Sequence, residues 1–237
     1  MKTHFTKQIF IQSALNGVVS AALITALLFV GFFMVEPSIS HGQSDTSTFR
    51  VRQTITDETS FLVDPSNVTM SGGINGITGG NATGSSRFVV RSNNSTGYYV
   101  EMVYFNNVGA HAMLGDRTAS EALRDYSGDV TGQPSYNFTA STAAQFAYTV
   151  NSSTTADTDD SFLNNGSNTC NSGATQTFGK CWKAPAVAAF RIIDRNTSAS
   201  NGATSTIYFK VNVPSSPVPI PSAETYTATA TLSLFIQ

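Results

Sequence analysis

The chain has 237 residues, of which only 12% are charged, about half the ~25% usual in soluble domains. A formal charge of −2 leaves no basic footprint for nucleic acid, and so few Glu and Lys exclude a long solvated coiled coil. A hydrophobic fraction of 41% with 16 Phe and 8 Tyr speaks against global disorder, while Ser and Thr fill about a quarter of the chain.

The N-terminus sets the compartment. Lys2 and Lys7 precede an apolar run over residues 17–35, and no Lys or Arg follows until Arg50. Basic residues before the run and none after it direct the remainder away from the cytoplasm. The run exceeds the 7–15 residues of a secretory h-region and just suffices to cross a bilayer. Ser38 and Ser40 supply small residues for cleavage after Ser40, so residues 1–40 read as a signal peptide or as an uncleaved signal anchor. Residues 41–237 then form one exported domain.

Within that domain, alternating apolar and polar residues predict strands. Residues 48–55 set Phe49, Val51 and Ile55 against Arg50, Arg52 and Thr54. Residues 87–91 and 97–105 flank an Asn-rich connection of hairpin length. Further candidates are 144–150, 189–193 and 204–213. The clearest is 225–236, with Tyr226, Ala228, Ala230, Leu232, Leu234 and Ile236 on one face and hydroxyls on the other. Its apolar end, Phe235 and Ile236, predicts an interior position in its sheet, reached by crossing over after the prolines at 214–221. A capping box from Thr118 to Glu121 predicts one short helix near 119–126. Residues 71–80 are Gly-rich but match no phosphate-binding pattern, and read as a connection where Gly supplies positive φ.

Residues 151–183 form a long polar loop. Such a length inside a compact domain needs something to tie it down. Cys170 and Cys181 are the only cysteines, and an even pair in an exported chain reads as a disulfide. Two Cys without a nearby His do not make a zinc site. Asp157, Asp159 and Asp160 in the same loop could offer carboxylates to Ca²⁺; the alternative is an acidic solvated loop. The EF-hand pattern fails, because Phe162 stands at its Gly position. No other cofactor is implied.

Catalytic motifs are missing from the sequence. There is no G-x-S-x-G, and His111 is the one interior histidine, flanked by small residues. Trp182, next to Cys181, is expected to pack against the disulfide instead of stacking on a sugar. The sequons at Asn67, Asn81, Asn137, Asn151 and Asn196 are what a chain rich in Asn, Ser and Thr contains by chance.

Two stretches carry a resemblance. Residues 88–101 (FVVRSNNSTGYYVE) resemble the strand, N-x-x-G-Y, strand hairpin of many bacterial surface β-sandwich domains. Residues 224–232 (ETYTATATL) resemble the G-T-Y-T-A-T-[IV]-T final strand of the same broad group, which includes WxL-type cell-wall domains and the spore-coat-U and fimbrial subunits. The resemblance implies an exported β-sandwich. The Trp-x-Leu signature of WxL domains does not occur here, and both cysteines lie late in the chain.

The expected fold is all-β: an antiparallel, Ig-like sandwich of about seven to ten strands, with one short helix and a preceding hydrophobic helix. The expected function is that of a non-catalytic surface or structural protein, secreted or anchored. It would act through cell-surface protein or glycan contacts, self-assembly included, and touch a membrane only through an uncleaved N-terminal helix. The alternative is an extracellular carbohydrate-active enzyme using carboxylates that no motif singles out.

Overall fold

A computed structural model of the protein describes residues 3–34, 47–105, 111–118, 120–127 and 134–237. The chain divides into two units, Met1–Gln53 and Thr54–Gln237. Residues 35–46, with the proposed cleavage site, lie outside the described residues.

In the first unit, helix α1 spans Thr3–Met34 and so begins well before the apolar run at residue 17. Its stretch Ser13–Phe32 is long and apolar enough to cross a membrane. A helix satisfies every backbone group within itself, as an apolar environment demands. Thr25 does the same for its hydroxyl, which donates to Ala21 O at 2.7 Å.

The second unit holds eleven described strands: β1 (Thr59–Val63), β2 (Ile74–Asn75), β3 (Gly79–Ser92), β4 (Tyr98–Tyr104), β5 (Met113–Gly115), β6 (Ala122–Asp125), β7 (Gln145–Ser152), β8 (Phe190–Arg195), β9 (Ala199–Val213), β10 (Tyr226–Ala228) and β11 (Ala230–Ile236). They form two sheets. The larger runs β1-β3-β9-β7-β6-β5-β10, with β2 added on β3; the smaller runs β11-β4-β8. One of the two curls into a half-barrel. Phe88 and Val90 of β3, Val100 and Met102 of β4, Phe146 and Val150 of β7, Ile192 of β8 and Ile207 of β9 enter one core, so both sheets supply it.

The two sheets share a corner. β4 pairs with β11 and β5 with β10, both antiparallel, so the same two stretches of chain meet twice, once in each sheet. Where they change sheet, Phe105 N–H donates to Thr229 O at 2.9 Å. This is the bend by which paired strands turn from one layer into another.

Several expectations are corrected. Residues 48–55 join no sheet, despite their alternation, and Phe49, Val51 and Ile55 stand exposed. No hairpin forms between β3 and β4, because the Asn-rich link carries the chain from the larger sheet to the smaller. Its asparagines explain the route. Asn93 accepts from Glu58 N–H (2.6 Å) and donates to Thr56 O (3.1 Å), while Asn94 donates to Gly97 O and to Gln237 O, each at 2.9 Å. These amides tie residues 56–58 and the C-terminus to one end of the domain, and a turn at 94–97, with Gly97 N–H on Asn94 O at 3.2 Å, leads into β4 and not back along β3.

Among the described residues of the short helix expected near 119–126 none is helical; β6 occupies 122–125. The capping box survives only as a turn, with Glu121 N–H on Thr118 O at 2.7 Å. Its Glu reaches away, to Ser222 and Tyr226, and buried Leu123 draws the segment into the sheet. The sheets are not purely antiparallel, since β6 and β7 pair in parallel through a connection of some length. The final segment divides at Thr229 into β10 and β11, and each ends its sheet instead of lying inside it.

Candidate functional site

The long polar loop is tied down by more than its disulfide. Cys170 and Cys181 are bonded, with S–S 2.07 Å and Cα–Cα 5.5 Å, as their pairing predicts. Gln176 pairs with the backbone of Ser152 on β7 as a strand would, accepting from its N–H and donating to its carbonyl, both at 2.9 Å. Trp182 is buried against Phe138, ring centroids 6.0 Å apart, and its Nε1 donates to Gly179 O, so it offers no face to a sugar.

The three loop carboxylates take separate duties. Asp157 is buried and pairs with Arg195 at 2.5 Å, joining the loop to β8. Asp159 caps the next turn by accepting from Ser161 N–H at 3.0 Å and from the Ser161 hydroxyl. Asp160 is exposed. Among the described residues no group of three or more His, Cys, Asp or Glu side chains is placed to hold a metal ion.

Elsewhere carboxylates act as staples. Glu121 accepts from Ser222 Oγ (2.6 Å), Ser222 N–H (3.2 Å) and the Tyr226 hydroxyl (3.1 Å), and its hydrogen bonds from Ser222 hold its pKa below the usual carboxylate value. Glu224 accepts from Arg117 N–H (2.6 Å) and Thr118 N–H (3.1 Å). Asp125 differs: burial raises its pKa, although it accepts from Ala112 N–H at 2.9 Å. His111 sits beside it, its Nδ1 accepting from Asp125 N–H at 3.3 Å.

A solvent-facing arrangement of recognition-type side chains lies on the outer face of the smaller sheet. The Arg191 guanidinium of β8 lies 3.9 Å from the centre of the Tyr99 ring of β4. Tyr99 in turn stacks on Phe235 of β11, centroids 4.9 Å apart and planes 19° apart. A cation–π contact and an offset stack thus form one row across three strands, ending on Phe235 at the open edge. Asp194 braces Arg191 at 2.8 Å, and Glu101 stands opposite Arg191 and Ser233. Aromatic residues and Arg are the types that concentrate at protein interfaces.

Sequence reasoning missed this row. Its one signal was Phe235, an aromatic residue at a position where the alternation called for a hydroxyl. No family model matches the chain, and no curated protein or solved structure matches it.

Proposed function

We propose that this chain is an exported surface or structural protein that works by contact and not by catalysis, with its two sheets packed as an Ig-like sandwich. The observation that carries the reading is the Arg191–Tyr99–Phe235 row at the end of a sheet, with Arg191 and Phe235 exposed and Tyr99 half-buried between them. The N-terminal helix and the bonded cysteines support a location outside the cytoplasm, where disulfides persist. The shared core of the two sheets supports the sandwich, and the resemblance to bacterial surface domains agrees with it. The partner is a cell-surface protein or glycan, or a second copy. To test it, intact cells expressing the full chain are treated with protease. Degradation from outside, and loss of retention at the surface in Tyr99→Ala, are the expected results. A protected, cytoplasmic protein would end the reading.

One observation favours a second reading, an extracellular carbohydrate-active enzyme. Burial raises the pKa of Asp125, the direction that favours a general acid, and His111 lies beside it. Release of reducing sugar from cell-wall polysaccharide, abolished in Asp125→Asn, would support that reading in place of the first.

A further inference from the structure

β11 ends the smaller sheet, hydrogen-bonded to β4 on one side and to no described strand on the other. Its core-facing residues show the consequence: Leu232 and Leu234 are half-buried and Ile236 is 50% exposed, although their partners Met102, Val100 and Tyr98 on β4 are buried. β1, the end of the larger sheet, comes close to β11, and its core-side Phe61 is only half-buried. The seam between the two sheet ends is therefore apolar and uncovered on one side.

The same chain carries a segment built to fill such a gap. Residues 48–55 alternate like a strand yet join no sheet, and Phe49, Val51 and Ile55 are 85%, 84% and 82% exposed. Phe49, Val51 and Ile55 share one face, interrupted only by Gln53, and such β-branched and aromatic residues suit a pleated, half-buried surface and gain nothing in water. We infer that residues 48–55 of one chain add as a strand to the open edge of β11 in a second copy of this chain.

The chemistry of the two surfaces matches on both faces. With Val51 opposite Leu234, the Phe49–Val51–Ile55 face falls on the Leu232–Leu234–Ile236 side and covers the seam. Either Arg50 or Arg52 then lies beside Phe235, on the outer face. There it repeats across β11 what Arg191 does over Tyr99, and it shares that face with the carboxylate of Glu101. The aromatic row stops at Phe235, where a cation would continue it, and the segment brings two. An unpaired strand edge is a template for such an addition, which supplies main-chain hydrogen bonds as well as side-chain contact. Joining one copy's stem to the next copy's edge is a head-to-tail contact, so it propagates instead of closing a dimer.

The inference rests on the reading of the protein as one that works by contact, and its test is independent of location. Full-length chains carrying Val51→Cys and, separately, Leu234→Cys are co-expressed with different tags and oxidised. An interchain disulfide between the two tags is expected, at least ten times more than between Val51→Cys and Ser200→Cys, an exposed site on β9. Adding Phe49→Asp to the Val51→Cys chain should remove the bond and leave the unfolding midpoint unchanged, because Phe49 is exposed. If Leu234→Cys does not fold, Ile236→Cys replaces it. Equal bonding to residues 234 and 200 means proximity in the membrane alone and overturns the inference. So does no bond to either edge site, or a bond found only when one chain carries both substitutions. A bond in chains that prove cytoplasmic would sink the proposed function and leave this inference standing; surface exposure without the bond would do the reverse.

Discussion

β9 and β11 are written in the same alphabet of hydroxyl, aliphatic and aromatic residues, yet they fare differently. β9 is hydrogen-bonded on both sides, to β3 and to β7, whereas β11 has β4 alone. Ile207 and Val211 of β9 are consequently buried, with Ile207 1% exposed, while Leu232 and Leu234 of β11 remain half-buried on the same kind of core face. Alternation decides which face a side chain joins; the number of neighbouring strands decides how far water is excluded from it.

The sharpest way to break this comparison is to place a charge at the centre of β9. Ile207→Asp puts a carboxylate opposite Ser86 and Val150, both buried. Neither partner carries a charge to pair with it, and the cost of burying the carboxylate, about 4 kcal/mol or more, should abolish cooperative unfolding altogether. Leu232→Asp, on the half-covered strand, should lower stability by about half as much, since its carboxylate can reach water past the open edge. Denaturant titration of both variants checks the order. Equal loss would mean that β11 is covered as completely as β9.

A smaller effect separates the tyrosines beside the two regions. Tyr148 faces Phe209 of β9, and burial pushes its pKa far above the ordinary range for a phenol. Tyr226 on β10, near the open end, is pushed to about 12 by burial and then by the Glu121 carboxylate. Both shifts have the same sign: the native state holds the proton more tightly than the unfolded chain. The stability that Tyr226 contributes is full below about pH 10, the ordinary phenol value, and is lost as pH rises through about 12, whereas that from Tyr148 persists to still higher pH. Ultraviolet titration should show Tyr226 ionising near pH 12 and Tyr148 only on unfolding. Tyr226→Phe should flatten the fall of the unfolding midpoint between pH 10 and 12; an unchanged fall would remove Tyr226 from the linkage.

What was legible in the sequence follows the same division. β7, β8, β9 and the faces of β11 were readable because period-2 alternation is local. The disulfide was readable because only two cysteines exist. The position of β11 at a sheet end was not, since alternation carries no information about neighbours. Residues 118–126 misled because Ser222 and Tyr226, a hundred residues away, take up the Glu121 side chain that a capping box needs locally. The polar loop looked structureless because its ladder partner is the side-chain amide of Gln176, which no hydrophobic pattern reveals. The Asp157–Arg195 pair was hidden in the same way by its separation along the chain.

The smallest effect is expected at Thr231, next to Leu232 but on the opposite face of β11. Thr231 is exposed and pairs with Val103 on the outer side of the smaller sheet. Thr231→Asp exchanges a β-branched residue for one less suited to a strand, a cost of a few tenths of a kcal/mol, and buries no charge. Its effect on the unfolding midpoint should therefore stay within about 0.5 kcal/mol, far below that of Leu232→Asp one residue away. Such a step between adjacent positions can come only from the pleat, because charge added, strand and sheet are the same in both variants. If the two midpoints fell together, the faces of β11 would be wrongly assigned. The apolar seam it shares with β1, and the strand addition inferred there, would lose their basis.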